Sequence, residues 1–158
     1  MRRSLLHVDA RGRARMVDVG AKAVTRREAV ARGVVAMSRT AFEALESGKL
    51  AKGDALAVAR LAGIQAAKRT AEIVPLCHPL ALESVEVDVA LDPERRRAVV
   101  TASARITGKT GVEMEALTAV AAAGLALYDM IKALDRGAAI QEIVLVSKSG
   151  GRSGNYRR

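Results

Sequence analysis

Thr25-Arg26-Arg27-Glu28-Ala29-Val30-Ala31-Arg32-Gly33-Val34-Val35-Ala36-Met37-Ser38 is the stretch on which the fold class turns, because it reads as a helix or as a strand. Thr25-Arg26-Arg27-Glu28 fits a capping box, in which a Thr hydroxyl and a Glu carboxylate satisfy the first free N–H groups of a helix. Gly33 followed by Val34 and Val35 favours a strand, since β-branched side chains suit a pleated surface better than a helical turn. Local chemistry leaves both readings open.

Downstream the pattern is clearer. Residues 41–46 form a short helical segment closed by Ser47-Gly48. Gly53-Asp54 opens a second helix, with Asp54 as N-cap and Leu56, Ala59, Ala62 or Gly63, Ala66 and Ala67 along one side, ending near Thr70. The prolines of Ile73-Val74-Pro75-Leu76-Cys77-His78-Pro79-Leu80 exclude a helix interior and predict an ordered, extended loop. Val85, Val87, Val89 and Leu91 alternate with Glu86, Asp88 and Ala90. Beyond the turn at Asp92-Pro93-Glu94-Arg95, Val100, Ala102, Ala104 and Ile106 alternate with Thr101, Ser103 and Arg105, so the two runs predict an antiparallel hairpin. A long helix is expected from about Val112 to Leu134, closed by Arg136-Gly137, then a strand over 140–147. With 25–38 as a strand, the order is the βαββαβ plan of a split-βαβ, ferredoxin-like α+β domain, an antiparallel sheet packed on helices. The chain shows neither an internal repeat nor a domain boundary. It is expected to be one domain over 1–158, with a mobile arm at 1–20 and a Gly, Ser and Arg tail at 149–158.

Composition narrows the class. The chain has 158 residues, half of them apolar, yet its aromatics are only Phe42, Tyr128 and Tyr156, while 31 residues are Ala. A core of Ala, Val, Leu and Ile lets elements approach closely but buries little area per residue, which favours an oligomer that covers its faces. The longest uncharged run, Ala116 to Tyr128, falls short of a membrane span. The basic start meets His7 and Asp9 before any apolar segment of a signal peptide develops. Cys77 is the single cysteine, excluding intrachain disulfides and Cys-based zinc sites. These features predict a cytoplasmic protein. The net charge of +9 points to phosphate-bearing partners, nucleic acid or nucleotide. Of 26 basic residues only seven are Lys, and five of those (Lys52, Lys68, Lys109, Lys132 and Lys148) fall in the segments with chemical character. A compact, titratable ammonium suits positions where a guanidinium would not substitute.

Four segments carry candidate chemistry. His78, fixed between Pro75 and Pro79, suits an acid, a base or a phosphate donor, or a structural His capping a carbonyl. Cys77 beside it lacks an acid partner to complete a triad and reads better as a buried, inert thiol; His7 carries no expected role. Glu113 and Glu115 open the long helix where its dipole favours carboxylates. Two positions apart, they lie about 200° apart around the axis and are not expected to face one ligand from a regular helix. Lys109 there is suited to an anion, but Gly108-Lys109-Thr110 lacks the upstream glycine of a P-loop. Asp129 and Lys132 share a helix face as a surface ion pair or, held in a pocket, as a proton-transfer unit. Lys148-Ser149-Gly150-Gly151-Arg152-Ser153-Gly154 either wraps a phosphate with backbone amides or frays.

Together these segments carry a resemblance. Met16-Val17-Asp18-Val19, Lys52-Gly53-Asp54, the run from Ala59 to Thr70, Leu76-Cys77-His78-Pro79-Leu80, the run from Thr107 to Thr118, Tyr128-Asp129-Met130 with Lys132, and Lys148-Ser149-Gly150-Gly151 span nearly the whole chain. In kind and order they resemble the molybdenum cofactor biosynthesis protein C family, the cyclic pyranopterin monophosphate synthases. The resemblance implies the ferredoxin-like fold, with 25–38 as a strand, in a homohexamer of three dimers. It implies a lyase that converts 3′,8-cyclo-7,8-dihydroguanosine 5′-triphosphate into cyclic pyranopterin monophosphate and releases pyrophosphate. Carried over residue by residue, it implies Asp129 and Lys132 as a catalytic pair and Lys52, His78, Glu113, Glu115 and Lys148 as further active-site residues. It also implies substrate binding by Leu76, Cys77, His78, Met114, Glu115 and Lys148. No departure from the family pattern occurs at these positions.

No carboxylate cluster forms a convincing metal cage, so no protein-bound metal is expected; whether Mg²⁺ accompanies the triphosphate is left open. An RNA-recognition module would share the charge and element order, but it stacks bases on strand aromatics, and neither hairpin strand has one. Neither nucleic acid nor membrane is expected as a partner. A purely structural oligomer would not account for the His loop, the Glu-x-Glu helix start and the Lys-containing tail. One geometric expectation follows from helix rise. Glu115 and Asp129 are fourteen residues apart, about 21 Å along a helix, so a substrate touching both requires two chains, with the small-residue face of Ala119, Ala122, Ala123 and Ala126 at their interface.

Overall fold

The structure, a computed structural model, describes residues 8, 9 and 11–158; His7 lies outside the described residues. The elements are β1 (Thr25–Ala36), α1 (Arg39–Glu46), α2 (Ala55–Lys68), α3 (Thr70–Ile73), β2 (Ser84–Asp92), β3 (Arg97–Gly108), α4 (Glu113–Ile131), β4 (Ala139–Ser149) and β5 (Tyr156–Arg157). The strands form one antiparallel sheet in the order β2-β3-β1-β4-β5. Its first four strands have the ferredoxin-like topology, and α2 and α4 pack on it.

Residues 25–36 are thus a strand, and a central one. Glu28, the capping-box carboxylate, instead sits opposite Arg105 on β3 and Ser149 on β4. The sheet supplies β1 with ladder partners on both sides, which outweighs a local helix start. Gly33 is explained by packing: a Cβ there would overlap Val120 of α4, so glycine admits the helix to the sheet.

The hairpin reads out as expected, with Ala98, Val100, Ala102, Ala104 and Ile106 all buried on one face of β3. Ser38 caps α1 and Asp54 caps α2. On α2 the buried stripe is Ala55, Ala59, Gly63 and Ala67, a strict four-residue repeat. It crosses α4 so closely that a Cβ on Gly63 would crowd the Ala119 carbonyl.

Three boundaries differ from expectation. After α2 the chain makes the single turn of α3 before the proline loop. The regular part of α4 stops at Ile131, so Lys132 is its C-cap. The last strand runs to Ser149, and the presumed tail turns back to pair Tyr156 with Lys148 and Arg157 with Ser147. The small-residue face of α4 also differs: Ala119 and Ala123 are fully buried within the chain, against the sheet and α2, so they are not a subunit surface. By length and hydropathy alone α4 would pass for a membrane span, yet most of it is buried in this core.

Candidate functional site

The candidate residues gather at the two ends of α4. At the C-terminal end, Asp129 is clamped between two ammonium groups. Lys132 Nζ donates to Asp129 Oδ1 at 2.6 Å, and Lys52 Nζ, from the turn before α2, donates to Oδ2 at 2.6 Å and to the Asp129 carbonyl at 2.9 Å. All three side chains are about half exposed. Lys132 and then Lys52 hold the Asp129 carboxyl down at about 2, and Asp129 in turn raises Lys132. At neutral pH Asp129 is therefore an ionised acceptor and Lys132 a charged donor.

At the N-terminal end, Leu76, Cys77, His78, Glu113, Met114 and Glu115 line one cavity of about 390 Å³, closed on another side by Val17, Val19 and Lys22. Val17 and Val19 of the arm thus form part of the cavity wall, and Lys109 Nζ donates to the Gly20 carbonyl at 2.6 Å. His78 Nε2 lies 2.9 Å from the Val17 carbonyl. A carbonyl only accepts, so Nε2 carries the proton, and a neutral ring leaves Nδ1 as its acceptor. The carbonyl-capping reading of His78 is seen directly, and the ring also lines the cavity.

The two glutamates face the same cavity, contrary to the 200° argument. Glu113 is the first residue of α4, and its carboxylate folds back over Gly111, where a Cβ would collide with it. Helical phase does not constrain a side chain that turns outward from the first residue. The two carboxyls are nevertheless unlike. Glu113 accepts from Lys148 Nζ at 2.8 Å, an ion pair about three-quarters buried. Glu115 is 3% exposed. Burial, with a smaller push from the Glu113 charge, raises it to about 7 against the pull of its own backbone N–H. Burial and then Glu115 also raise the Cys77 thiol, which stays protonated and poor as a nucleophile.

A second, more polar cavity of about 200 Å³ continues past Glu113 and is lined by Lys22, Arg27, Glu28, Thr110, Gly111, Lys148, Ser149, Gly150 and Ser153. Lys22, Arg27 and Lys148 bring three cations to it against the carboxylates of Glu28 and Glu113, a net positive lining that suits an anion. Sequence reading missed Lys22 and Arg27. The scarcity of lysine was a signal for Lys22. Arg27 had none, being one of nineteen arginines on a strand whose identity was open. The two ends are not brought together within one chain: from Glu115 to Asp129 the helix rises about 21 Å.

A ferredoxin-like domain with a cationic, carboxylate-bearing cleft defines a class of small-molecule enzyme more readily than a binding module. Comparison with known proteins makes the class specific. The chain belongs to the MoaC family, whose family model matches residues 16–151. It is 56% identical over 154 residues to the cyclic pyranopterin monophosphate synthase of Pelotomaculum thermopropionicum, covering 98% of this chain and 91% of that protein. The protein of the same name from Heliobacterium modesticaldum is 55% identical, with 98% and 97% covered. That from Roseiflexus sp. is 57% identical over 152 residues, with 96% of each covered.

Proposed function

We propose that this chain is a lyase of molybdenum cofactor biosynthesis, converting (8S)-3′,8-cyclo-7,8-dihydroguanosine 5′-triphosphate into cyclic pyranopterin monophosphate with release of diphosphate. The observation that carries the reading is the division of chemistry between the ends of α4. One end has an exposed Lys–Asp–Lys cluster. The other has a polar cleft with three cations and two carboxylates, beside a buried carboxyl that titrates near neutrality.

The reaction needs both. Closing a cyclic phosphate while expelling diphosphate requires cations on the triphosphate. Rearranging the purine-derived ring requires groups that give and take protons near pH 7. Lys148, Arg27 and Lys22 are the phosphate-holding set; Glu115, poised at about 7, can both donate and accept. His78 offers a ring nitrogen to the same cavity. Lys132 stays charged beside Asp129 as a hydrogen-bond donor to the reacting ring, and Lys132 and then Lys52 keep Asp129 ionised.

In this reading one active site combines the N-terminal end of α4 from one subunit with the C-terminal end from another, in a homohexamer of three dimers. Exposed Val58 and Leu61 on α2 and Leu125 on α4 favour such assembly, since they otherwise leave apolar surface in water. A single cysteine suits the reducing cytoplasm.

The test is diphosphate release from the cyclised dihydro-GTP substrate by wild type, Lys132→Ala and Asp129→Ala, with assembly checked by light scattering. Release by wild type and its loss in both folded variants supports the reading. No release by wild type overturns it.

A further inference from the structure

The stretch after β4 is built to hold one hydroxyl in place. Gly150 and Gly151 take positive φ values of 86° and 76°, and a Cβ on them would collide with the Arg26 carbonyl and the Arg27 guanidinium, respectively. The loop therefore lies tight across β1. Gly154 N donates to the Gly151 carbonyl at 3.2 Å, and pairing of Tyr156 with Lys148 ties the far end back to β4. Between these anchors sits Ser153, whose Oγ accepts from Lys148 Nζ at 2.7 Å. The same ammonium donates to Glu113 Oε1 at 2.8 Å.

An ammonium has three N–H donors, and two acceptors from different elements fix its direction. Glu113 alone would let Lys148 rotate about one contact and would neutralise it. Ser153 supplies the second contact without adding negative charge. Both groups line the cavity that carries Arg27 and Lys22.

We propose that Ser153 is a positioning residue that orients the Lys148 ammonium so that its third N–H meets a phosphate oxygen of the bound triphosphate. The proposal rests on the functional reading above for the identity of the substrate, but its anion chemistry is testable apart from the reaction. Calorimetric titration of the intact protein with inorganic tripolyphosphate separates the two, using wild type, Ser153→Ala, Ser153→Thr, Lys148→Ala and the Lys148→Ala/Ser153→Ala double variant. Ser153→Ala is expected to weaken binding about tenfold, the scale of one hydrogen bond to a charged group. Ser153→Thr, which keeps the hydroxyl, restores affinity, and Ser153→Ala adds no further loss once Lys148 is removed. With the cyclised substrate, the same Ser153→Ala change raises KM far more than it lowers kcat. A silent Ser153→Ala, or one equally harmful with and without Lys148, overturns the proposal. Absent diphosphate release by wild type, with the tripolyphosphate pattern intact, would overturn the assigned reaction but not the positioning role.

Discussion

The two ends of α4 hold carboxyl groups of opposite character. Asp129 is exposed, sits between Lys132 and Lys52, and stays ionised down to about 2. Glu115 is enclosed, has only its own backbone N–H pulling it down, and keeps its proton up to about 7. One helix thus presents an obligate anion at its C-terminal end and a neutral-pH acid–base group at its N-terminal end. Environment, not residue type, makes the difference: charge partners favour ionisation at one end and desolvation opposes it at the other. The contrast also shows why a single chain is an incomplete catalyst in the proposed reaction, since the two groups are about 21 Å apart along the helix.

The largest effect that would break this comparison is loss of the C-terminal cluster. Asp129→Ala and Lys132→Ala are each expected to lower diphosphate release about 10²- to 10⁴-fold, the range of a positioned proton-transfer group. Thermal unfolding should change little, because all of these side chains are half exposed. Next comes complementation. Mixing inactive Glu115→Ala and Asp129→Ala chains under subunit exchange should restore about a quarter of wild-type activity. Random pairing makes half the dimers mixed, and each mixed two-fold interface carries one intact site of two. If exchanged mixtures stay inactive, the two ends do not serve one substrate.

Stability against pH sharpens the contrast, because the two groups have opposite signs. Glu115 has a raised folded pKa, about 7 against an ordinary 4.5. The folded chain therefore holds a proton that the unfolded chain releases. The contribution of Glu115 to stability is fully present below about 4.5, falls as pH rises towards 7, and is about 3 kcal/mol smaller above that. Denaturant titrations of Glu115→Gln should lack this decline. Asp129 has a depressed folded pKa, about 2 against 3.8. Its contribution is present above 3.8 and is lost as pH falls through about 2, and at this exposed site it fades with salt. Smallest of all is the division between its partners. Carboxyl NMR should find Asp129 raised more by Lys132→Met than by Lys52→Met, because Lys132 is the stronger influence.

Much of this architecture is legible in the residues. Alternation in 85–91 and 100–106 specifies the hairpin, and Asp54 with its apolar repeat specifies α2. The functional segments stand out as runs that fit neither a helix nor a strand pattern, such as Leu76-Cys77-His78-Pro79-Leu80 with Pro75 just before it. Other features are not local. The 25–36 strand carries a helix-start signal, and only pairing with both β3 and β4 decides against it. The buried small-residue face of α4 cannot be told from an interface by composition, because Ala and Gly suit any close approach.

The site divides in the same way. Residue identity and helix rise alone determined that Glu115 and Asp129 lie too far apart for one substrate on one chain. Tertiary structure decided the rest. It brought Lys52 across to Asp129, folded Glu113 back over Gly111 to share a cavity with Glu115, and turned the C-terminal stretch into a hairpin that sets Ser153 on Lys148. The physical reason is common to all three. Distance along one regular helix follows from backbone geometry, whereas the direction of a side chain and the burial of a charge depend on what the remaining chain packs around them.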